Sequence, residues 1–223
     1  MEIIAHIHSD FPTKFGIPRQ SGLAEKLQAK IIFEPDYRNP NCIRGLEGWS
    51  HLWLIWQFDR AVEAGWSDTV LPPKLGGKTR VGVFATRSPF RPNHLGLSCV
   101  KLEKVEITKD GPVLTVSGAD LADGTPIFDI KPYVPYADCR PEAVDAFAET
   151  RQDAPLDVHF PEDLLQKIPA EKREALFEVL SLNPRPGYQN DPTRRYGFNY
   201  AGFDVRFTID GDDLTVVEVV SLF

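Results

Sequence analysis

The chain has 223 residues, 42% of them hydrophobic and 26% charged, with a formal net charge of −7. That balance excludes wholesale disorder, and the length suits one large domain, or a main domain with a small one, that needs no disulfide or metal staple. The longest apolar run, residues 52–56, is too short to cross a bilayer, the opening MEIIAHIHSDF lacks the pattern of a secretory signal, and Cys42, Cys99 and Cys139 are odd in number and far apart, so a cytoplasmic protein with unpaired thiols is expected.

Residues 2–8 alternate around Ile3, Ala5 and Ile7 as a half-buried strand does, and residues 29–33 read as a second short strand. WSHLWLIWQF, residues 49–58, is apolar on both parities, which suits a strand covered on both faces or one entering an interface. Further strands are expected at residues 81–85, 96–107, 113–117, 127–130, 204–209 and 214–220, the last two joined through the turn Asp210-Gly211-Asp212. Helical signals are concentrated after Pro161, where Glu162 and Asp163 sit at the positive end of the dipole. Pro169 interrupts, residues 170–182 continue with Leu176, Val179 and Leu180 on one face, and Asn183-Pro184 stops the helix. The expected fold is mainly β: an antiparallel barrel or sheet over residues 1–138, a polar linker over 138–155, and a small α+β domain over 155–223.

Charge is uneven. Residues 14–101 carry 13 Lys and Arg against 7 Asp and Glu, whereas residues 102–223 carry 12 against 23. Between Lys74 and Lys101 lie Lys78, Arg80, Arg87 and Arg91 and no acid, a span fit to meet a polyanion, although a solvated edge reads the same way. Dinucleotide, P-loop, zincin and esterase signatures are absent from the sequence. His6 and His8 share a strand face, but no third ligand stands nearby, so no metal is expected. What remains are loops stiffened by proline and furnished with donors: FGIPRQ at residues 15–20, ATRSPFRPN at residues 85–93 and DLADGTP at residues 120–126.

GIPRQSGL, RGLEGWSHLWLIWQF, PPKLGGKTRVGVFATRSPFRPNHLGLS and LADGTPIFDIKPYVPYAD closely resemble the TrmO family, also called the TsaA/YaeB-like proteins, and NPRPGY at residues 183–188 is similar to that family's C-terminal (D/N)PRPxY segment. The resemblance implies an S-adenosylmethionine-dependent methyltransferase acting on N6 of threonylcarbamoyladenosine beside the anticodon of tRNA. It implies a small single-sheeted β-barrel that forms a homodimer with the cofactor in a cleft near the subunit interface. Carried over by position, it implies cofactor contacts at Pro18, Arg19 and Gln20, at Asp59 and Arg60, at Arg87 and Leu97, and at the turn Asp123, Gly124, Thr125 and Pro126. Some relatives carry His-Gln where this chain has Asp59-Arg60.

Methyl transfer from a sulfonium is an in-line displacement that asks for alignment and a dry site rather than a nucleophilic side chain, so no catalytic residue is assigned. Asp129, Tyr133 and Tyr188 are able to accept or relay the acceptor's proton, with Asp129 equally readable as a strand-end acceptor. The threonyl carboxylate of the acceptor calls for a cation, and Arg91, Lys131 and Arg185 are the candidates, with Tyr188 beside Arg185; Arg185 reads equally well as a helix C-terminal cap. Two other readings are a non-catalytic RNA-binding barrel, separable by titration with S-adenosylmethionine, and a methyltransferase of small molecules, separable by the salt dependence of activity.

Overall fold

In the computed structural model, which describes residues 1–72, 75–144, 146, 154–185 and 191–223, the alternating apolar positions of the first half become the inside of a barrel. The strands of this half are β1 (Ala5–His8), β2 (Gln28–Phe33), β3 (His51–Gln57), the two-residue β4 (Thr69–Val70) and β5 (Val81–Gly82), β6 (Leu95–Thr108), β7 (Gly111–Ser117) and β8 (Pro126–Pro132). Among the described residues, six of them close the barrel in the order β1-β2-β7-β6-β3-β8, every pair antiparallel. Ile7, Ile31, Leu52, Leu54, Leu114 and Ile127 fill it with no exposed surface. Each such side chain contributes about 1.5–3 kcal/mol by leaving water.

Strand β6 is long because it serves two neighbours. Its first half pairs with β3 and its second with β7, and the register slips between Leu102 and Lys104 where it bends from one to the other. Trp56 of β3 lies flat across Gly96 of β6, where a methyl group would come within 2.2 Å of the indole. The indole N–H donates to Ser98 Oγ at 2.9 Å inside the barrel. The seam between β1 and β8 is short, two residue pairs, and the turn before β8 lengthens it. There Ile7 N–H donates to the Thr125 carbonyl (3.1 Å) and Gly124 N–H to the Ile7 carbonyl (2.8 Å).

After the short helix α1 (Pro135–Asp138) come β9 (Asp157–His159), α2 (Glu162–Leu165), α3 (Ala170–Ser181), β10 (Tyr196–Tyr200), β11 (Phe203–Asp210) and β12 (Asp213–Ser221). Among the described residues they form a sheet ordered β10-β11-β12-β9, with β9 parallel to β12. Ala175, Leu176, Val179 and Leu180 of α3 cover a core that also takes Val205, Phe207 and Leu214 from the sheet. Phe11, Ala24 and Leu27, all from the first half of the chain, belong to this same core. The Asp10 carbonyl accepts from Ala201 N–H at 2.8 Å, and its carboxylate pairs with Lys172 at 2.7 Å.

Several elements differ from expectation for local reasons. Residues 81–85 form only two residues of strand before a 3-10 turn at Val83–Ala85, because the Val83 carbonyl is captured by the Thr86 hydroxyl (2.8 Å). Residues 49–58 were expected to be covered on both faces or at an interface; within the chain, Leu52, Leu54 and Trp56 are buried while Trp53 and Ile55 are only half-buried. Strand β9 has only three residues, too few to show a period, and β10, whose Tyr196, Phe198 and Tyr200 alternate and are buried, was not among the expected strands. Part of the expected linker, together with Lys74 and Tyr188, lies outside the described residues.

Candidate functional site

Within the loop between β1 and β2, residues 16–22 are held from several sides. Gly16, at φ +82°, presses on the Phe198 ring of β10, where a side-chain carbon would come within 2.5 Å. Gly22 N–H donates to the Gly118 carbonyl at 2.8 Å. Cys99 of β6, which pairs with Trp53 of β3 but lies past the end of the pairing with β7, donates its N–H to Ser21 Oγ at 3.2 Å. Pro18 is buried between these anchors, so the loop presents Arg19 and Gln20 outward. The Arg19 guanidinium donates to the Arg185 carbonyl at 3.4 Å, and Gln20 Oε1 accepts from Arg87 Nη1.

Arg87 comes from a loop that is braced from within. Arg91 Nη1 donates to the carbonyls of Thr86 (2.6 Å) and Val83 (3.3 Å), and its guanidinium lies 5.9 Å from the Phe84 ring centre. His94, left-handed at φ 49°, donates its N–H to the Arg91 carbonyl, brings its ring nitrogen 2.9 Å from the Pro89 carbonyl, and accepts from Phe58 N–H at 2.8 Å. Arg91, a candidate for the acceptor's carboxylate, is therefore engaged with main-chain oxygens, while the exposed Arg87 faces Gln20.

The third segment runs from Gly118 to Pro126. Asp120 Oδ1 accepts from Ser98 Oγ at 2.5 Å, which places its carboxylate between the barrel and the Gln20 loop. Burial pushes the Asp120 carboxyl above the usual range, against the opposing pull of Ser98, of its own amide, of the Arg87 charge and of the Ser21 amide. Asp123 Oδ1 accepts from Ser9 N–H at 3.1 Å and stands 3.3 Å from His8 Nδ1. Arg60 donates to the carbonyls of Asp123 (3.1 Å) and Pro12 (3.0 Å), so its side chain ties the turn to the β1 loop. Asp59 stays exposed at the start of the 3-10 turn Asp59–Ala64. Thr125 is buried with its hydroxyl donating to the Ala122 carbonyl at 2.8 Å, and Pro126 is buried in the seam, so Gly124 is the exposed part of this turn.

Leu97, Asp129 and Lys131 belong to a second group, on the outside of the barrel. The sheet register aligns Leu97 with Ile55 and Ile55 with Asp129, and the next row holds Cys99, Trp53 and Lys131. Leu97 is 56% exposed, and Lys131 pairs with Asp129 at 3.0 Å. Tyr133 packs near Trp53, and burial first, then the neighbouring Cys139, Cys99 and Asp138, push its phenol up. Ser21, Ser98, His94 and Asp120 are the site-forming residues that sequence reasoning missed. One signal was present: Ser98 is polar on the inward parity of an otherwise apolar strand.

Models of the tRNA-methyltransferase O N-terminal domain and of the TrmO C-terminal domain match residues 6–139 and 153–222. This chain belongs to the TrmO family. It is 40% identical over 216 residues to the tRNA (adenine(37)-N6)-methyltransferase of Escherichia coli strain K12, covering 93% of this chain and 92% of that protein. It is 46% identical over 193 residues to a putative S-adenosylmethionine-dependent methyltransferase, RcsF, of Pseudomonas aeruginosa, covering 86% and 78%. The crystal structure of TrmO from Pseudomonas aeruginosa superposes with a TM-score of 0.78 at 33% identity, covering 98% of this chain and 97% of that one. The closed barrel and the C-terminal sheet with its helices are thus a TrmO architecture.

Proposed function

We propose that this chain methylates N6 of adenine 37 of tRNA with S-adenosylmethionine as donor, and that the adenine carries a threonylcarbamoyl group. The observation that carries the reading is the junction at the barrel rim, where Arg87 meets Gln20, Arg19 reaches Arg185, and the turn around Gly124 closes the adjoining seam. Membership of the TrmO family supports the reaction. The donor set suits the cofactor: Arg19 and Arg87 offer cations to a carboxylate, Asp59 and Asp123 offer carboxylates to an ammonium or to ribose hydroxyls, and Leu97 offers apolar surface.

When bound, S-adenosylmethionine supplies an electrophilic methyl group on a sulfonium. The chain's own task is to align the acceptor and keep water away. The tight inner packing of the barrel and the braced loops hold the contributing side chains still. Tyr133, whose phenol is pushed up, keeps its proton at neutral pH and so serves as a donor rather than a base. Asp129 is the acceptor on the same outer face, partly neutralised by Lys131. We read residues 1–138 as the cofactor-binding barrel, with its basic span from Lys74 to Lys101 meeting the anticodon-arm phosphates, and residues 155–223 as a further tRNA contact. We also read the molecule as cytoplasmic and as a homodimer, the dimer being supported by exposed Leu97, Phe84 and Trp66. Among the described residues, no helix is long and apolar enough to cross a membrane.

The test is mass spectrometry of nucleosides from tRNA incubated with the protein and methyl-labelled S-adenosylmethionine. One labelled methyl on threonylcarbamoyladenosine is expected, and label on unmodified adenosine or on none would overturn the acceptor assignment. Arg185 gives a second prediction. Its main-chain carbonyl accepts from Arg19, a contact that any substitution at this position keeps. Arg185→Ala should therefore leave cofactor affinity within about twofold and raise the KM for tRNA about tenfold, as loss of one charge-assisted contact does. Equal losses in both measurements would make Arg185 structural.

A further inference from the structure

Beyond the barrel rim, the β1–β2 loop meets the start of β10. Gly16 presses on the Phe198 ring, Ile17 packs on the C-terminal core, and Arg19 donates to the Arg185 carbonyl at 3.4 Å. Lys14 and Phe15 lead into this contact along one segment, and Arg194 and Arg195 along the other, since β10 opens at Tyr196. All four are exposed, Phe15 by 58%. The Lys14 ammonium stands 5.6 Å from the Phe15 ring centre.

The two arginines are held ready rather than paired. Tyr196 is buried, stacks on Phe207 at 5.9 Å, and carries the Arg194 guanidinium 5.7 Å from its ring centre, so a core residue positions that cation. Arg206, opposite Gly197 on the neighbouring strand, is neutralised by Asp204 (2.8 Å) and Glu218 (2.9 Å). Among the described residues, Arg194 and Arg195 enter no ion pair. Residues 11–24 hold Lys14 and Arg19 and no acid. Residues 183–200 hold Arg185, Arg194 and Arg195 and one acid, Asp191, whose carboxylate accepts from the Thr193 N–H (2.9 Å) and hydroxyl (2.7 Å). Residues 102–223 as a whole carry 12 Lys and Arg against 23 Asp and Glu, so this junction reverses the sign of its surroundings and draws an anion.

We propose that Lys14, Phe15, Arg194 and Arg195 form an RNA-binding ridge: the three cations meet phosphates of the anticodon arm, and Phe15 stacks on an unpaired base of its loop. The inference rests on the functional reading above and names the residues through which the barrel and the C-terminal part share the tRNA. An exposed aromatic among cations suits RNA with unstacked bases, whereas an acidic protein surface would engage the cations and leave the ring idle. A guanidinium carried on an aromatic face keeps its planar N–H fork for a phosphate.

Binding of fluorescently labelled tRNA, followed by anisotropy at several salt concentrations, tests this. The logarithm of the affinity should fall linearly with the logarithm of the salt concentration, and each phosphate contact removed should flatten that slope by about 0.7–0.9. The Arg194→Ala/Arg195→Ala double variant should therefore lose about 1.5 of slope and Lys14→Ala about 0.8. Arg194→Lys/Arg195→Lys keeps both charges and should keep the slope, whereas a packing role for the guanidinium groups would not survive the exchange. Phe15→Ala should bind about five- to a hundredfold more weakly with its slope unchanged. Lys109→Ala removes one charge from the β6–β7 turn, at the end of β7 away from Gly118 and the rim, and should change neither quantity. A slope for the double alanine variant within about 0.3 of the wild type, or Phe15→Ala affinity within about twofold of it, would overturn the inference. Affinity for S-adenosylmethionine, titrated calorimetrically, should stay within about twofold in every variant, and a matching loss there would make the ridge structural. A wild type that binds tRNA in this way but transfers no methyl group to it would overturn the functional reading and leave the ridge standing.

Discussion

Gly96→Ala should lower the thermal midpoint by about 4–24 °C, whereas Gly48→Ala should change it by less than about 2 °C. A methyl group on Gly96 would sit 2.2 Å from Cε2 and 2.4 Å from Cζ2 of Trp56, while a methyl group on Gly48 meets nothing within 4 Å. Trp56 cannot step aside cheaply. Its ring lies 4.3 Å from that of Phe58 in an edge-on contact, and its N–H is held by Ser98 at 2.9 Å. Forcing a methylene-sized volume into such a core costs about 1–3 kcal/mol, and stranding a buried indole N–H adds about 1–3 kcal/mol. For a chain of this length each kcal/mol lowers the midpoint by roughly 2–4 °C. Thermal unfolding followed by circular dichroism checks it, and a midpoint for Gly96→Ala equal to that of the wild type would mean that Trp56 does not lie on the glycine. The same change should loosen the site, because Ser98 links Trp56 to Asp120.

That coupling shows where sequence reading stops. Period-two alternation carried the strands of the barrel, because a half-buried strand writes its inner face into every second residue. Residues 2–8, 29–33, 96–107 and 113–117 lie within two or three residues of β1, β2, β6 and β7 at each end. Alternation says nothing about which strands become neighbours, so it could not put Leu97, Asp129 and Lys131 on the outside of one sheet. Nor could it show that Phe11, Ala24 and Leu27 complete the C-terminal core, since a contact across roughly 150 residues leaves no local pattern. Proline and glycine marked the loops that gather at the barrel rim, because proline fixes φ and glycine takes left-handed φ at the least cost, although His94 takes it there too. The duties of the arginines inside those loops were beyond it. Arg60, Arg87 and Arg91 carry identical chemistry, and only the fold decides that the first and third hold carbonyl oxygens while Arg87 faces Gln20.

Arg87→Ala should weaken binding of S-adenosylmethionine about ten- to a hundredfold and leave the thermal midpoint within about 2 °C. The guanidinium is exposed and its contact is with the Gln20 side chain, so little buried structure depends on it. A hydrogen bond to a charged group contributes about 1.5–3 kcal/mol, and 1.4 kcal/mol is tenfold in affinity. The loss should appear in the KM for the cofactor, with the KM for tRNA changed less, since the residue acts on the donor. Arg87→Lys keeps the charge but not the planar fork, so it should recover only part of the affinity. Arg91→Ala offers the contrast: its guanidinium braces the Val83 and Thr86 carbonyls, so its removal should loosen the loop and lower the midpoint along with the affinity. Calorimetric titration alongside thermal unfolding measures both quantities. An Arg87→Ala protein that folds normally and binds the cofactor as tightly as the wild type would move the methyl donor away from the rim formed by Gln20, Asp120 and Gly124.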